Sequence, residues 1–406
     1  MKPLEDIRVL DLSRIVSGPF TTMQLADMGA DIIKVEEPQF GDDTRAFGPP
    51  FVGGESAYFL SVNRGKRSLA LNLKHVSALP IIKKLIKCCD VIIENFRPGA
   101  ADRLGLDFRT VSKWNPRIVY CSISGFGTDG PERDRPGYDL VVQGASGIMD
   151  ITGDPNGPPM KVGTSVADLV TGLYATQAIL LALRAREQTG CGQKVEIAMI
   201  DAMASLLTFN AGIYFASGQS PTRRGNGHPT IVPYETFKAS DGWLNIAVAN
   251  DTLWHKFCKA CSMASLRDDP LFATAPARVE NRETLIPLIN NMVIRKTRAH
   301  WVALLGKAGI PCGEIRTVGE VCTNEALIAR GMIRDLPHDK LGQVRTINTP
   351  IQLLDTPGGA TTAPPMLGQH TREILTELAE LSVEDVDQLV AAGAVMCRPD
   401  KDVTYE

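Results

Sequence analysis

The sequence predicts an α/β protein: a large first domain built on a parallel sheet, then a smaller α+β domain. Three observations carry this. Short apolar runs alternate with helical patterns through the first two hundred residues. Two of those runs, DVIIENF at 90–96 and RIVYCSISGF at 117–126, are apolar at nearly every position, as strands covered on both faces are. After residue 226 the pattern changes to a hairpin followed by short helices.

Taken in order, IRVLDL from Ile7 reads as the first strand, residues 19–28 as a helix, DIIKVEE from Asp31 as the second strand and RSLALNL from Arg67 as the third. A helix over 78–88 precedes the strands at 90–96 and 117–126, and the alternation makes a Rossmann-like region. SVADLVTGLYATQAILLALRAREQTG keeps apolar residues at helical spacing for over five turns, carries Arg184 and Arg186 near its end and stops at Gly190. QKVEIAMIDAMASLLTF is a strand entering a helix, and composition turns to Gly, Pro, Asn and Ser over 218–229. PYETFKASDGWLNIAVAN holds two β-rich runs around the turn pair Asp241-Gly242. The last forty residues return to helical periodicity and are expected to pack on the first domain. The expected division is 1–200 large domain, 201–225 linker, 226–325 small domain, 326–350 linker, and 351–406 returning to the large domain.

Composition narrows the function. At 406 residues and 44% apolar content the chain can bury a core in each of two or three domains. Lys and Arg total 43 against 46 acidic residues, a net charge of -3, so no broad basic face exists for nucleic acid or an anionic membrane. The beginning, MKPLEDIRVLDLS, resembles neither a secretory signal nor a transit segment. The most apolar stretch, 169–185, falls short of the ~20 residues that span a bilayer. Nine scattered cysteines point to reduced thiols in a cytoplasmic protein, or in the mitochondrial matrix if a transit segment has been removed. Cys258 and Cys261 form one C-x-x-C with no second pair, as core thiols on an amphipathic helix would.

The motifs exclude more than they include. Gly125, Gly127 and Gly130 match G-x-G-x-x-G, but the PERDRPG that follows cannot open the helix a dinucleotide site needs. P-loop, metalloprotease and nucleophile-elbow motifs are missing, and six histidines show no metal spacing, so neither a metal nor a permanently bound cofactor is expected. Two features remain. Asp168 lies where the chain enters the long apolar helix; that suits either a first-turn acid or a carboxylate nucleophile kept ionised by the helix dipole. Basic residues Arg14, Lys74, Arg97, Arg103 and Arg135 follow strands or open helices, where open parallel sheets bind ligands, so a phosphate-bearing ligand fits them.

Read at full length, the chain resembles the class III CoA-transferases, the family of formyl-CoA and carnitine CoA-transferases. The resemblance runs through VLDLSRIVSGPFTTMQLADMGADIIKVE, GDDTR, NRGKRSLALNL, DVIIENFRPGAADRLGL, SISGFGTDGP, ADLVTG, GQKVEIAMIDA and PPMLGQHT. It implies two identical chains interlocked as rings, each with a Rossmann-like domain built from both chain ends. It also implies that Asp168 is the nucleophile, passing through an aspartyl mixed anhydride and an aspartyl-CoA thioester, with CoA thioesters and carboxylic acids as substrates. Family CoA contacts fall on Ile15, Val16, Ser17, Leu71, Lys74, Asn95, Phe96, Arg97, Arg103 and Tyr138. Two positions depart from formyl-CoA transferase: Glu37 stands where that enzyme has a CoA-binding Arg, and Pro136 where it has a Lys, for which Arg135 substitutes.

The stretches GNGHPTIVPYETFKASDGW and GDDTRAFGPPFVGGESAYFLSVNR look most like succinyl-CoA-dependent enzymes acting on glutarate, 3-hydroxy-3-methylglutarate, itaconate or malate. Arg14, Arg45 and His228 are then the candidates for holding the distal carboxylate. Two alternatives stay open: a formyl-CoA or oxalate type of transferase, and a 2-methylacyl-CoA racemase, in which a His base would occupy the place of Tyr138.

Overall fold

The structure, a computed structural model, describes residues 1–398. The chain divides into two compact units. The first comprises Met1–Ile148, Val162–Thr208 and the segment from Glu325; the second comprises Met149–Lys161 and Phe209–Asn324.

The first unit is organised by a seven-stranded sheet. Its strands are β1 (Arg8–Asp11) and β2 (Asp31–Glu36), then, after the small hairpin β3 (Phe51–Val52) and β4 (Glu55–Ser56), β5 (Lys66–Leu71), β6 (Val91–Glu94), β7 (Val119–Ser124) and β8 (Lys194–Ala198). β9 (Tyr234–Ala239), β10 (Gly242–Ala247) and β11 (Cys312–Glu314) belong to the second unit, and β12 (Ile333–His338), β13 (Gly342–Ile347) and β14 (Val395–Met396) return to the first. The sheet order is β14-β5-β2-β1-β6-β7-β8, parallel throughout except for β14, which runs antiparallel to β5. β1 lies at the centre: the chain builds outward to one side through β2 and β5, then returns to its other side with β6. That reversal between β1 and β6 leaves a crevice at the carboxyl ends of the strands.

The period of two sorts the strand side chains into two cores. Leu10, Ile33, Leu69, Leu71 and Ile92 face a layer made by the helices Ala78–Lys87, Phe108–Trp114 and Thr371–Glu377. Val9, Ile32, Val91, Ile93, Val119 and Cys121 face the helices Ser17–Asp27 and Val166–Thr189. The long helix ends, as its spacing predicts, at Gly190, whose φ of 74° is the left-handed C-cap that glycine adopts without penalty. At 24 residues it is longer than the 169–185 stretch and is long and apolar enough to cross a membrane; one face instead packs into the core through Ala175, Ile179 and Ala182.

The second unit holds a three-stranded antiparallel sheet, β11-β10-β9, and a core around Trp254, Phe257, Phe272 and Leu285; its hairpin turns at Ser240-Asp241, one residue before the expected Asp241-Gly242, because Gly242 already pairs with Ala239 as the first residue of β10. Cys258 is buried in that core as a free thiol.

Both expected linkers differ from what forms. Residues 201–225 carry most of the helix Met199–Ser205 and all of the helix Thr208–Ser217, and irregular chain begins only at Gly218, where small and turn residues start. Residues 326–350 contain the β12–β13 hairpin, in which Leu336, His338, Val344 and Thr346 alternate inward while Arg64 of the first unit donates to the Thr346 hydroxyl at 3.1 Å.

Candidate active site

The crevice at the β1–β6 reversal opens into a cavity of about 1070 Å³ lined entirely by the first unit. The segments following β1, β2, β5, β6 and β7 form its walls, and Asp168, from the long helix, reaches it from the side of β1.

Asp168 is the third residue of its helix, yet its partners lie on another one. The hydroxyl and backbone N–H of Ser17, the first residue of the helix Ser17–Asp27, face its carboxylate and favour its ionised form. This pairing exists because the two helices approach closely. A Cβ on Gly172, one turn beyond Asp168, would lie 3.0 Å from the Ser17 carbonyl oxygen and 2.9 Å from the Phe20 ring. Thr21 Oγ1 fills the junction, donating to the Ser17 carbonyl at 2.8 Å and the Gly172 carbonyl at 3.3 Å.

The balance at Asp168 is set by burial and not by the helix end. Burial, joined by the nearby Asp139 carboxylate, pushes its carboxyl up to about 7, against the two Ser17 donors. Asp139 is fixed there because its own carboxylate accepts from Ala167 N at 2.9 Å and from Gln143 Nε2 at 2.7 Å. Near neutrality the Asp168 carboxylate is therefore poorly solvated and comparatively basic.

Most of the candidate residues line this one cavity. Ile15 and Ser17 stand beside Asp168; Leu71, Phe96 and Leu104 supply apolar wall; Arg14, Lys74, Arg97 and Arg103 supply positive charge. Among the described residues none of those four cations has an ion-pair partner within 4.0 Å, which leaves their charge available to an anionic ligand. Arg135 lies over the Phe126 ring at 4.3 Å and pairs with Glu132 at 2.6 Å, and Tyr138 is 64% exposed at the rim. Asn95 lines the cavity while its amide clamps the loop after β1, accepting from Arg14 N at 2.9 Å and donating to Arg14 O at 2.8 Å. The bonds from Asn95 tie the two sides of the sheet reversal together.

Three candidates fall elsewhere. Val16 is buried at the start of the helix and does not line the cavity. Arg45 lies at the end of β2, paired through two nitrogens with Glu36 at 2.7 and 2.9 Å and stacked 3.6 Å from the Phe59 centroid, so it is not free for a substrate carboxylate. His228 belongs to the second unit, where it stacks on Phe209 with centroids 5.6 Å apart.

Sequence reasoning missed several lining groups. Glu37, singled out only as a departure, lines the wall and accepts from the N–H groups of Gln39 and Phe40. Arg133, Ser124 and Met199 also line it, brought in by the loop after β7, the last residue of β7 and the helix after β8. Gly125 and Gly137 allow two strands of that loop to cross: a Cβ on Gly125 would come within 2.7 Å of the Gly137 Cα. No histidine is among the lining residues.

Comparison with known proteins agrees with this arrangement. A profile described as CoA-transferase family III matches residues 4–371. The succinyl-CoA:glutarate CoA-transferase of Mus musculus is 38% identical over 395 residues, covering 97% of this chain and 91% of its own. A succinate–glutarate CoA-transferase of Agrobacterium fabrum is 39% identical over 382 residues, covering 93% and 96%. A crystal structure of a CAIB/BAIF family protein from Brucella suis superposes with a TM-score of 0.84 at 42% identity, covering 93% of this chain and 99% of that one. A profile match over nine-tenths of the sequence, relatives of this identity and a shared sheet lead to one conclusion: the chain belongs to CoA-transferase family III.

Proposed function

We propose that this protein transfers CoA from succinyl-CoA to a C4 to C6 dicarboxylate such as glutarate, with Asp168 as the nucleophile. The single observation that carries the reading is a poorly solvated carboxylate, faced by the Ser17 N–H and hydroxyl, in a cavity with four unpaired cations. The glutarate relatives support the choice of donor and acceptor.

The chemistry balances without an oxidant. The Asp168 carboxylate attacks the thioester carbonyl, the C–S bond breaks, and CoA thiolate leaves a succinyl-aspartyl anhydride. The thiolate then attacks the aspartyl carbonyl, expelling succinate and giving an aspartyl-CoA thioester. The acceptor carboxylate attacks that thioester, releasing the thiolate and forming a second anhydride, which the thiolate opens at the acceptor carbonyl to give the new acyl-CoA and regenerate Asp168. Each step exchanges acyl groups of comparable energy, and water must be kept from the anhydrides. Arg14, Lys74, Arg97 and Arg103 are the groups suited to the CoA phosphates, and Leu71 and Phe96 to its apolar arm.

A racemase would need a second titrating base opposite Asp168. Tyr138 at the rim and a wall without histidine disfavour it. Leu173, Leu180 and Leu181 project from the long helix with 40 to 70% exposure, an apolar surface that favours a homodimer. Nine free thiols favour a reducing compartment such as the cytosol.

The test is a mass-spectrometric panel offering succinyl-CoA with glutarate, 3-hydroxy-3-methylglutarate, itaconate, malate, oxalate, formate and carnitine. Preference for a C4 to C6 dicarboxylate is expected. A tenfold preference for oxalate, formate or carnitine would overturn the acceptor class, and α-proton exchange on 2-methylacyl-CoA without transfer would overturn the reaction.

A further inference from the structure

The short link between β1 and the helix Ser17–Asp27 must deliver the Ser17 N–H to Asp168, and it does so through an unfavourable conformation. Ile15 sits at φ 69°, the left-handed region where a β-branched side chain is strained. Such a residue persists only when its surroundings over-determine it. Here four side chains do so. Asp11 accepts from Ser13 N at 2.9 Å, Lys34 Nζ donates to Ser13 O at 3.1 Å, Asn95 holds Arg14 at both backbone groups, and Asp42 Oδ1 accepts from Ile15 N at 3.3 Å.

Of these, Asp42 acts on the strained residue itself, and it is built to stay there. Its other oxygen pairs with Lys34 Nζ at 2.8 Å with both side chains fully buried, Oδ1 also accepts from Thr44 N at 2.9 Å and Thr44 Oγ1 at 2.7 Å, and its own N–H donates to Glu36 at 3.1 Å. Buried ion pairs of this kind add little net stability over an apolar replacement, so their cost points to a role in holding geometry. Asp42 belongs to the GDDTR stretch, which supplies none of the chemistry proposed above.

We infer that Asp42 is a positioning residue for the transfer reaction: through Ile15 N it holds the left-handed turn that aims the Ser17 N–H and hydroxyl at the Asp168 carboxylate. This rests on Asp168 being the nucleophile. Asp139 is the charged group that faces Asp168, from the helix Asp139–Ala145, and Asp42 reaches it only through the chain.

Two consequences separate this from a structural role. Losing the Ser17 donors disfavours the ionised carboxylate, so Asp42→Ala should move the acid limb of kcat/KM upward by roughly half a pH unit or more. It should also lower kcat by about a hundredfold while leaving KM for succinyl-CoA within about threefold, as misplacement of a reacting group does. Second, Ile15→Gly in that background adopts the same turn without a Cβ penalty and should recover about threefold or more of kcat. An unmoved acid limb, or no recovery from Ile15→Gly, would overturn the inference.

Should Asp42→Ala fail to fold, Asp42→Asn combined with Lys34→Met removes both buried charges and the Lys34 bond to Ser13 O yet keeps the acceptor for Ile15 N, the contact on which the inference rests. That pair should retain the wild-type acid limb; a limb displaced as far as loss of Ser17 would displace it refutes the role. Hydroxylamine trapping on the wild type separates the two failures. Without a hydroxamate on Asp168 the nucleophile reading itself falls, whereas trapping in Asp42→Ala at the wild-type rate and pH dependence defeats this inference alone.

Discussion

Replacing Asp168 by Asn should make the protein more stable while abolishing transfer, and the gain should depend on pH in a defined direction. The folded carboxyl titrates near 7, against an ordinary 3.8, because it is buried beside Asp139. The folded state therefore binds this proton more tightly than the unfolded chain. Below about pH 4 both states hold it and it contributes no difference. As pH rises from 4 to 7 the unfolded chain releases it first, so stability falls, and above 7 the full cost of ionising a buried carboxyl is present. That cost is about 4 kcal/mol at 25 °C. Asn keeps an oxygen to accept the Ser17 N–H but carries no charge. Thermal unfolding of both proteins from pH 4 to pH 8.5, read by calorimetry, should show Asp168→Asn melting several degrees higher at pH 8.5, with the difference closing toward pH 4. A variant no more stable at pH 8.5, or a gain that persists unchanged at pH 4, would refute the account of how the site is charged.

Other predictions follow from the same geometry. In the wild type, log kcat/KM should fall by about one per pH unit below an apparent pKa near 7, as the carboxylate is protonated; a flat profile from pH 5 to 8 would contradict it. Gly172→Ala should drive the two helices apart at Ser17 and Phe20, costing about 1 to 3 kcal/mol of stability and a larger share of kcat than of KM, measured by denaturant melts and steady-state kinetics. Arg103→Ala should raise KM for succinyl-CoA about tenfold, with a loss that shrinks at high salt, in keeping with an anion contact. Arg45→Met should destabilise the first unit by about 3 to 5 kcal/mol by leaving Glu36 buried and unpaired, without altering acceptor preference in the panel.

Much of this site was legible in the sequence, and the reasons differ residue by residue. The strand-and-helix alternation is written in side-chain periodicity, so the β1–β6 crevice and the cations beyond its strands could be anticipated. Asp168 was visible because a helix entry is a local signal. Its charge state was not. It depends on Asp139, 29 positions earlier, and on Ser17, 151 positions earlier, which meet it only when two helices close on Gly172. Arg45 was misread for the same reason: as an isolated cation it could hold a dicarboxylate, but Glu36 from the end of β2 already occupies it. Val16 failed because the sequence does not say which residues of a turn point inward, and that turn is governed by Asp42 and Lys34 from other elements. The expected linker over 326–350 failed where local composition was polar but the chain alternated inward and outward, as it does in β12 and β13, and that over 201–225 because the helix Thr208–Ser217 runs through it.

The central claim is that Asp168 becomes covalently acylated. The most direct measurement incubates the protein with succinyl-CoA, quenches with hydroxylamine and maps the modified peptide by mass spectrometry. The account predicts an aspartyl hydroxamate on Asp168 that forms only with thioester present and is lost in Asp168→Asn. A hydroxamate on another residue, or full transfer activity in a protein whose Asp168 remains unmodified, would contradict it.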